Sequence, residues 1–312
     1  MLGNFVLSDL YRMGKSKSTY VILILLFITT FTFSFFLLGF NIGALFGISQ
    51  ESMQEAANMD LESAMNMFMA EGGLSQVATA YEEASTEENY DEDIEIVGEG
   101  MYHDANAFEI FRFNVATLNE LFFLAIFTGL FFGADYAFNT SRNYLLLNNK
   151  RYIGMLSKTI AVAIYALFMH IYIWFIGMIA TMCWSSGFDK GLTPGFFAYF
   201  FTTYLIILAF CEVVALITVL CRSRSAGITF GILFSMGTIT YIVQFADMYL
   251  IYKNDNIPED FSFSNYMLTM NLSSLMPDSS AGDYVRCIVV SVIYLALAFF
   301  LGVKLLNKRD IS

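Results

Sequence analysis

The chain has 312 residues, 57% of them hydrophobic, 17% aromatic and only 14% charged. A soluble globule is about 45–50% apolar, so this composition excludes an ordinary water-soluble domain and points to hydrocarbon as the solvent. A net charge of −12 would argue against a nucleic-acid partner were it spread evenly, which it is not, and three prolines among so many apolar residues predict mostly unbroken helices.

At the start of the chain, Leu2, Phe5, Val6, Leu10 and Met13 recur at helical spacing. Asn4, Asp9 and Arg12 read as the opposite, polar face, and Gly14 closes the run. Residues 1–19 are therefore expected to form an amphipathic helix lying on the membrane surface. Gly14-Lys15-Ser16 imitates the tail of a phosphate-binding loop, but the position five before Gly14 is Asp9 where that loop needs glycine. No nucleotide site is expected in this chain.

Six apolar segments reach the roughly 20 residues that cross a bilayer: 20–40, 116–137, 159–184, 197–220, 226–246 and 286–303. Single segments can cross only as helices, because lipid offers no partner to exposed backbone groups. The expected fold is an all-α integral membrane protein of six transmembrane helices. An N-terminal amphipathic interfacial helix precedes them, and a small helical extracellular module, 41–115, separates spans 1 and 2. That module carries 16 Asp and Glu against one basic residue, Arg112. Met53, Ala57, Leu61, Ala64, Met65 and Phe68 fall on one helix face there, and a solvated acidic run from Glu82 to Glu95 follows. Asp91, Asp93 and Glu95 alternate but lack the glycine and final glutamate of a calcium loop, so no metal is expected.

Lys and Arg set the orientation. With both termini cytoplasmic, the inner segments hold 12 of the 16 basic residues, leaving Arg112, Lys190, Lys253 and Arg286 outside. A loop at 138–158 and a tail at 304–312 are then cytoplasmic, while 247–285 is an extracellular loop with one short helix. The expected location is a bacterial cell membrane. Cys183, Cys211, Cys221 and Cys287 all lie in or beside apolar runs and read as small buried hydrophobes.

Three ionisable groups fall inside the apolar segments: Glu120 in span 2, His170 in span 3 and Glu212 in span 4. Such groups are costly in lipid and mark a substrate path by default; the competing readings are a hydrogen bond to a neighbouring helix or a protonated carboxyl. Glycines repeat at Gly39/Gly43, Gly129/Gly133 and Gly227/Gly231, a spacing that lets helices approach closely. No pairing of groups builds a catalytic site, and no metal-ligand spacing is present, so the chain is not expected to be an enzyme.

The most specific feature leaves span 2. Gly133, Asp135 and Tyr136 are followed by Thr140 and Asn143, then by Arg151-Tyr152 and finally Lys158. Between them, Arg142, Tyr144, Leu147 and Lys150 fit an amphipathic helix bracketed by basic residues and suited to docking in a protein groove. This pattern resembles the type-2 family of ABC transporter permeases, departing where Asn139 stands for a glycine that the family often has before the threonine, and again where the family often has a glycine before the basic pair. The resemblance implies a permease paired with a second permease subunit, identical or related, and with a cytoplasmic ABC ATPase that holds ATP and magnesium. It implies that Thr140, Arg142, Asn143, Tyr144, Leu147, Lys150, Arg151 and Tyr152 couple the ATPase to the spans, with 139–152 as the coupling helix. No cofactor is expected in this chain itself. The acidic module and its Met-rich face suggest a cationic amphipathic, antimicrobial-type peptide as cargo. A non-transporting sensor or immunity protein with an acidic ligand-binding module is the competing class.

Overall fold

The structure is a computed structural model and describes residues 2–38, 106–137, 152–184, 194–253, 262–277 and 279–308. The Met-rich and acidic stretches of the expected outer module, and coupling candidates Thr140 to Arg151, lie outside the described residues. Every regular element within them is helical. In chain order these are α1 (Leu2–Lys15), α2 (Lys17–Leu38), α3 (Ala107–Ala116), α4 (Asn119–Ala137), α5 (Tyr152–Trp184), α6 (Pro194–Cys221), α7 (Arg224–Ser235), α8 (Thr238–Lys253), a 3-10 turn (Phe263–Tyr266), α9 (Leu268–Ser274) and α10 (Ala281–Lys308). Five are long and apolar enough to cross a membrane, namely α2, α4, α5, α6 and α10, and α7 with α8 makes a sixth if the bent pair is one span. The chain is a multi-pass helical membrane protein.

The fifth apolar segment is not the unbroken helix its composition predicts. α7 stops at Ser235, and α8 leaves at 52° to it. Met236 closes α7 by donating its N–H to the carbonyl of Ile232, and Gly237 then takes φ +72°. Glycine visits that left-handed region freely, whereas a Cβ there costs about 1–2 kcal/mol. Gly237→Ala should therefore lose about 1–2 kcal/mol in detergent-solubilised unfolding, although the nearest atom to an added Cβ, Tyr241 Cε2, is an acceptable 3.4 Å away. An unchanged midpoint would mean the break does not depend on that conformation. α7 starts cleanly, since the Ser223 hydroxyl accepts from Ala226 N–H as an N-cap.

The chain divides into two units. Among the described residues, the first holds 2–30, 108–137, 152–176, 194–253, 262–277 and 279–308. α6 packs against α4, α7, α9 and α10 within it, and α4 packs against α7. In their apolar windows α4 is 61% and α6 56% buried, against 22% for α10. α10 therefore edges the bundle, and its outward Val285, Val289, Val292, Ile293, Leu297 and Phe300 suit a hydrocarbon solvent. The described part of the second unit is 31–38, 106–107 and 177–184. There the Thr181 hydroxyl bonds back to the carbonyls of Gly177 and Met178, as threonine does inside apolar helices.

Several boundaries differ from the sequence reading: α8 runs on to Lys253 and α10 starts at Ala281, both inside the stretch 247–285 expected as a loop. α5 begins at Tyr152, so the stretch from Tyr152 to Lys158 is helix continuous with span 3. No glycine or proline interrupts it after Gly154, and Met155, Ser157 and Lys158 are buried. α3 falls within 41–115, yet its Phe108, Ile110, Phe111 and Val115 are buried in the first unit's core. The four cysteines are free thiols; Cys211 and Cys287 are buried as expected, while Cys183 and Cys221 are exposed.

Candidate functional site

α1 is where the sequence reading needs its main correction. Positions 2, 5, 9 and 13 are three or four apart, so Asp9 lies in line with Leu2, Phe5 and Met13, within the apolar stripe and not opposite it. In the structure Asp9 is fully buried. Its carboxylate accepts from the Ser157 hydroxyl on α5 and faces the Arg12 guanidinium at 3.6 Å. Arg12 reaches on to Asp135, near the end of α4, at 3.4 Å. Asp135 is in turn paired with Lys158 on α5, whose ammonium sits 5.2 Å and 5.4 Å from the ring centres of Phe131 and Phe132. Two acids and two bases thus lie within reach of one another, and pairing of this kind is how charge is tolerated away from water.

This network has a definite place in the chain. Asp135 and Lys158 lie on the helices that flank residues 138–151, and Asp9 and Arg12 tie α1 to both helices. The joint from α1 to α2 is secured by side chains that take up the terminal carbonyls of α1. Thr19 donates to the carbonyl of Met13 at 2.9 Å, and Tyr20 donates to that of Gly14 at 2.6 Å. Tyr165 on α5 donates to the carbonyl of Thr19 at 3.4 Å.

Directly beside the network, α4 and α7 run in opposite directions in close contact. A Cβ on Gly133 would meet Arg224 Cα at 2.6 Å, and one on Gly129 would meet Ile228 N at 2.8 Å. On α7, a Cβ on Gly231 would meet Ala125 Cβ at 2.9 Å, and one on Gly227 would meet Thr218 Oγ1 on α6 at 2.0 Å. Gly129 and Gly133 therefore let α4 approach the backbone of α7, while Gly227 lets α7 approach α6 and Gly231 lets it approach both α4 and α6, a division that no reading of either repeat alone supplies. Gly39 and Gly43 lie outside the described residues.

The three intramembrane candidates fall into two places. Glu120 and His170 meet, with Glu120 Oε2 2.7 Å from His170 Nδ1 and both side chains fully buried. Thr203 on α6 stands 3.2 Å from the other ring nitrogen. Phe111 and Phe200 wall the imidazole, with ring centres 4.9 Å and 4.5 Å away. Glu212 is separate: it accepts from Thr159 at 3.0 Å and is 3% exposed. At about 1.5 Å per helical residue, Thr203 and Glu212 are roughly 14 Å apart along α6.

Of the eight coupling candidates, Tyr152 alone is described; it opens α5 and is 44% exposed. Asp9, Arg12 and Ser157 went unrecognised as members of a site. For Asp9 the signal was available, a carboxylate in line with apolar residues on a helix stripe. For Ser157 nothing in the sequence distinguishes it. The described ends of the bundle also separate the basic side chains: Arg12, Lys15, Lys17, Arg222, Arg224 and Lys304 fall toward the α1 end, Arg112 and Arg286 toward the other. Among the described residues no group of His, Cys, Asp and Glu is arranged to hold a metal. No protein-family model matches the chain, and no curated protein matches it.

Proposed function

We propose that this chain is the permease subunit of an ATP-driven exporter of the type-2 ABC class, with ATP and magnesium bound by a separate cytoplasmic ATPase. The observation that supports it is the ion network joining α1 to the two helices that flank 138–151. A permease without its own nucleotide site needs an element that receives motion from the ATPase and passes it to the spans. A surface helix tied by Asp9 and Arg12 to those two helices is built for that, because displacement of the segment between them must load α1, α4 and α5 together. In this reading the α1 end is cytoplasmic, in line with its basic side chains. Thr140, Arg142, Asn143, Tyr144, Leu147, Lys150, Arg151 and Tyr152 meet the ATPase, and a second permease subunit, identical or related, completes the path. Glu212, Glu120 and His170 are the polar stations along the spans. The acidic module draws a cationic amphipathic, antimicrobial-type peptide, though screening confines this attraction to about 8–10 Å.

The test is purification of the tagged chain from its own membranes, followed by reconstitution. An ATPase subunit is expected to co-purify, and a cationic amphipathic peptide should stimulate ATP hydrolysis by the pair. Deleting 139–152 should abolish both. A chain that purifies without an ATPase, yet binds the peptide through its acidic module, would replace the exporter reading with that of a sensor or immunity protein.

A further inference from the structure

The stripe by which the sequence puts α1 on the membrane is not the stripe left open. Leu2, Phe5 and Met13 share their face with Asp9, and that face turns to the bundle: Asp9 is fully buried, and Met13 packs against the core. The opposite face carries Asn4, Leu7, Ser8, Tyr11, Gly14 and Lys15, three or four apart, and all six are exposed. Leu7 is 66% and Tyr11 62% exposed. Two apolar side chains among polar ones cannot sink a helix into hydrocarbon, but they suit the headgroup layer, where amphipathic groups collect.

What meets this face follows from the joint with α2. A single residue, Ser16, separates the two helices. α2 is long and apolar enough to span, and its exposed side runs as Lys17, Tyr20, Val21, Ile24, Leu25 and Ile28, the stripe that faces lipid. Tyr20, on that stripe, donates to the carbonyl of Gly14, on the open face of α1, at 2.6 Å. The two open faces are thus continuous, and the outer side of α1 begins at the level where α2 enters the bilayer.

The exposed charge at this level has one sign. Lys15 and Lys17 are exposed, as are Arg222, Arg224 and Lys304 at the same end of the bundle. The two acids described there, Asp9 and Asp135, are buried and paired with bases. Lys15 holds its ammonium 4.7 Å from the centre of the Tyr11 ring, which keeps cation and aromatic side by side on the open face. We propose that the open face of α1, with the first turn of α2, binds anionic phospholipid headgroups. Lys15 and Lys17 meet the phosphates, while Tyr11 and Tyr20 lie at the boundary with the acyl chains. α1 is then held from both sides, by its polar contacts to α4 and α5 within the protein and by the leaflet outside it. This binding needs only the membrane and does not rest on the exporter reading.

Trp174→Phe and Trp184→Phe remove the chain's two tryptophans, and Tyr11→Trp then supplies a single reporter that still stacks with Lys15. In phosphatidylcholine vesicles at low salt, bromines near the headgroup end of the acyl chains should quench it. At equal mole fraction, brominated phosphatidylglycerol should quench more strongly than brominated phosphatidylcholine. Lys15→Gln should lower the relative affinity for the anionic lipid about fivefold, equivalent to about 1 kcal/mol, and leave quenching by phosphatidylcholine unchanged. The unmodified chain gives a second reading. Extracted from mixed vesicles, it should retain phosphatidylglycerol in excess, and Lys15→Gln with Lys17→Gln should reduce that excess. Equal quenching by the two lipids would overturn the proposal, and so would an excess that the lysine substitutions leave unchanged. A reporter that neither lipid quenches would mean that a protein partner or water, and not the leaflet, covers this face. An ATPase that fails to co-purify changes none of these readings.

Discussion

Lys158→Met should be among the most damaging single substitutions in the first unit, lowering the stability of the detergent-solubilised chain by about 3–5 kcal/mol. The reason is what it leaves behind. Asp135 is nearly buried, and Lys158 is its close counter-ion. Without that ammonium, the carboxylate faces Arg12 at 3.4 Å, a guanidinium whose side chain is 36% exposed and which already serves Asp9. A buried charge deprived of its partner costs far more than the pair contributes when both are present. Asp135→Leu combined with Lys158→Met should therefore recover most of the loss, since methionine and leucine suit the neighbouring Phe131 and Phe132. A double-mutant cycle on unfolding midpoints reads this directly. If the single and double variants unfold alike, the pair is not the closed contact described above.

Gly133→Val should be comparably severe, for a steric reason. A Cβ at Gly133 meets the Cα of Arg224 at 2.6 Å, and a backbone atom cannot swing aside as a side-chain tip can. Overpacking of this kind costs about 1–3 kcal/mol and sometimes more, and the two γ-methyls of valine place the change at the upper end. Gly133→Ala should fall within that range. Gly3→Ala is the control, because a Cβ there meets nothing within 4 Å. It should be neutral or stabilise α1 by a few tenths of a kcal/mol through helix propensity. Thermal unfolding of the three variants separates the cases, and a Gly133→Val protein as stable as Gly3→Ala would mean that α4 and α7 are not in contact at this glycine.

Much of the architecture was legible because hydrophobic length is a strong, local signal. The helices α2, α4, α6 and α10 overlap the expected spans closely, and α5 extends its span toward the N-terminus. The break at Met236-Gly237 was not legible, since one glycine in an apolar run is also compatible with a continuous helix and the left-handed φ appears only in three dimensions. Asp9 was misplaced by sorting residues on polarity before angle; its spacing from Phe5 and Met13 already put it on the inward stripe. The meeting of Glu120 with His170, and of Gly129 and Gly133 with Ile228 and Arg224 of α7, depends on which helices are neighbours. Nothing in either local pattern encodes that. The coupling residues from Thr140 to Arg151 rest on the family resemblance alone.

The ion pair between Asp135 and Lys158 has a consequence for how the helices open. It joins the last turn of α4 to the first turns of α5, and helix ends are where local opening starts. Backbone amides at both ends should therefore exchange with solvent more slowly than those of a helix terminus with no such tie. Lys158→Met should release the two ends together, read as faster hydrogen exchange at both.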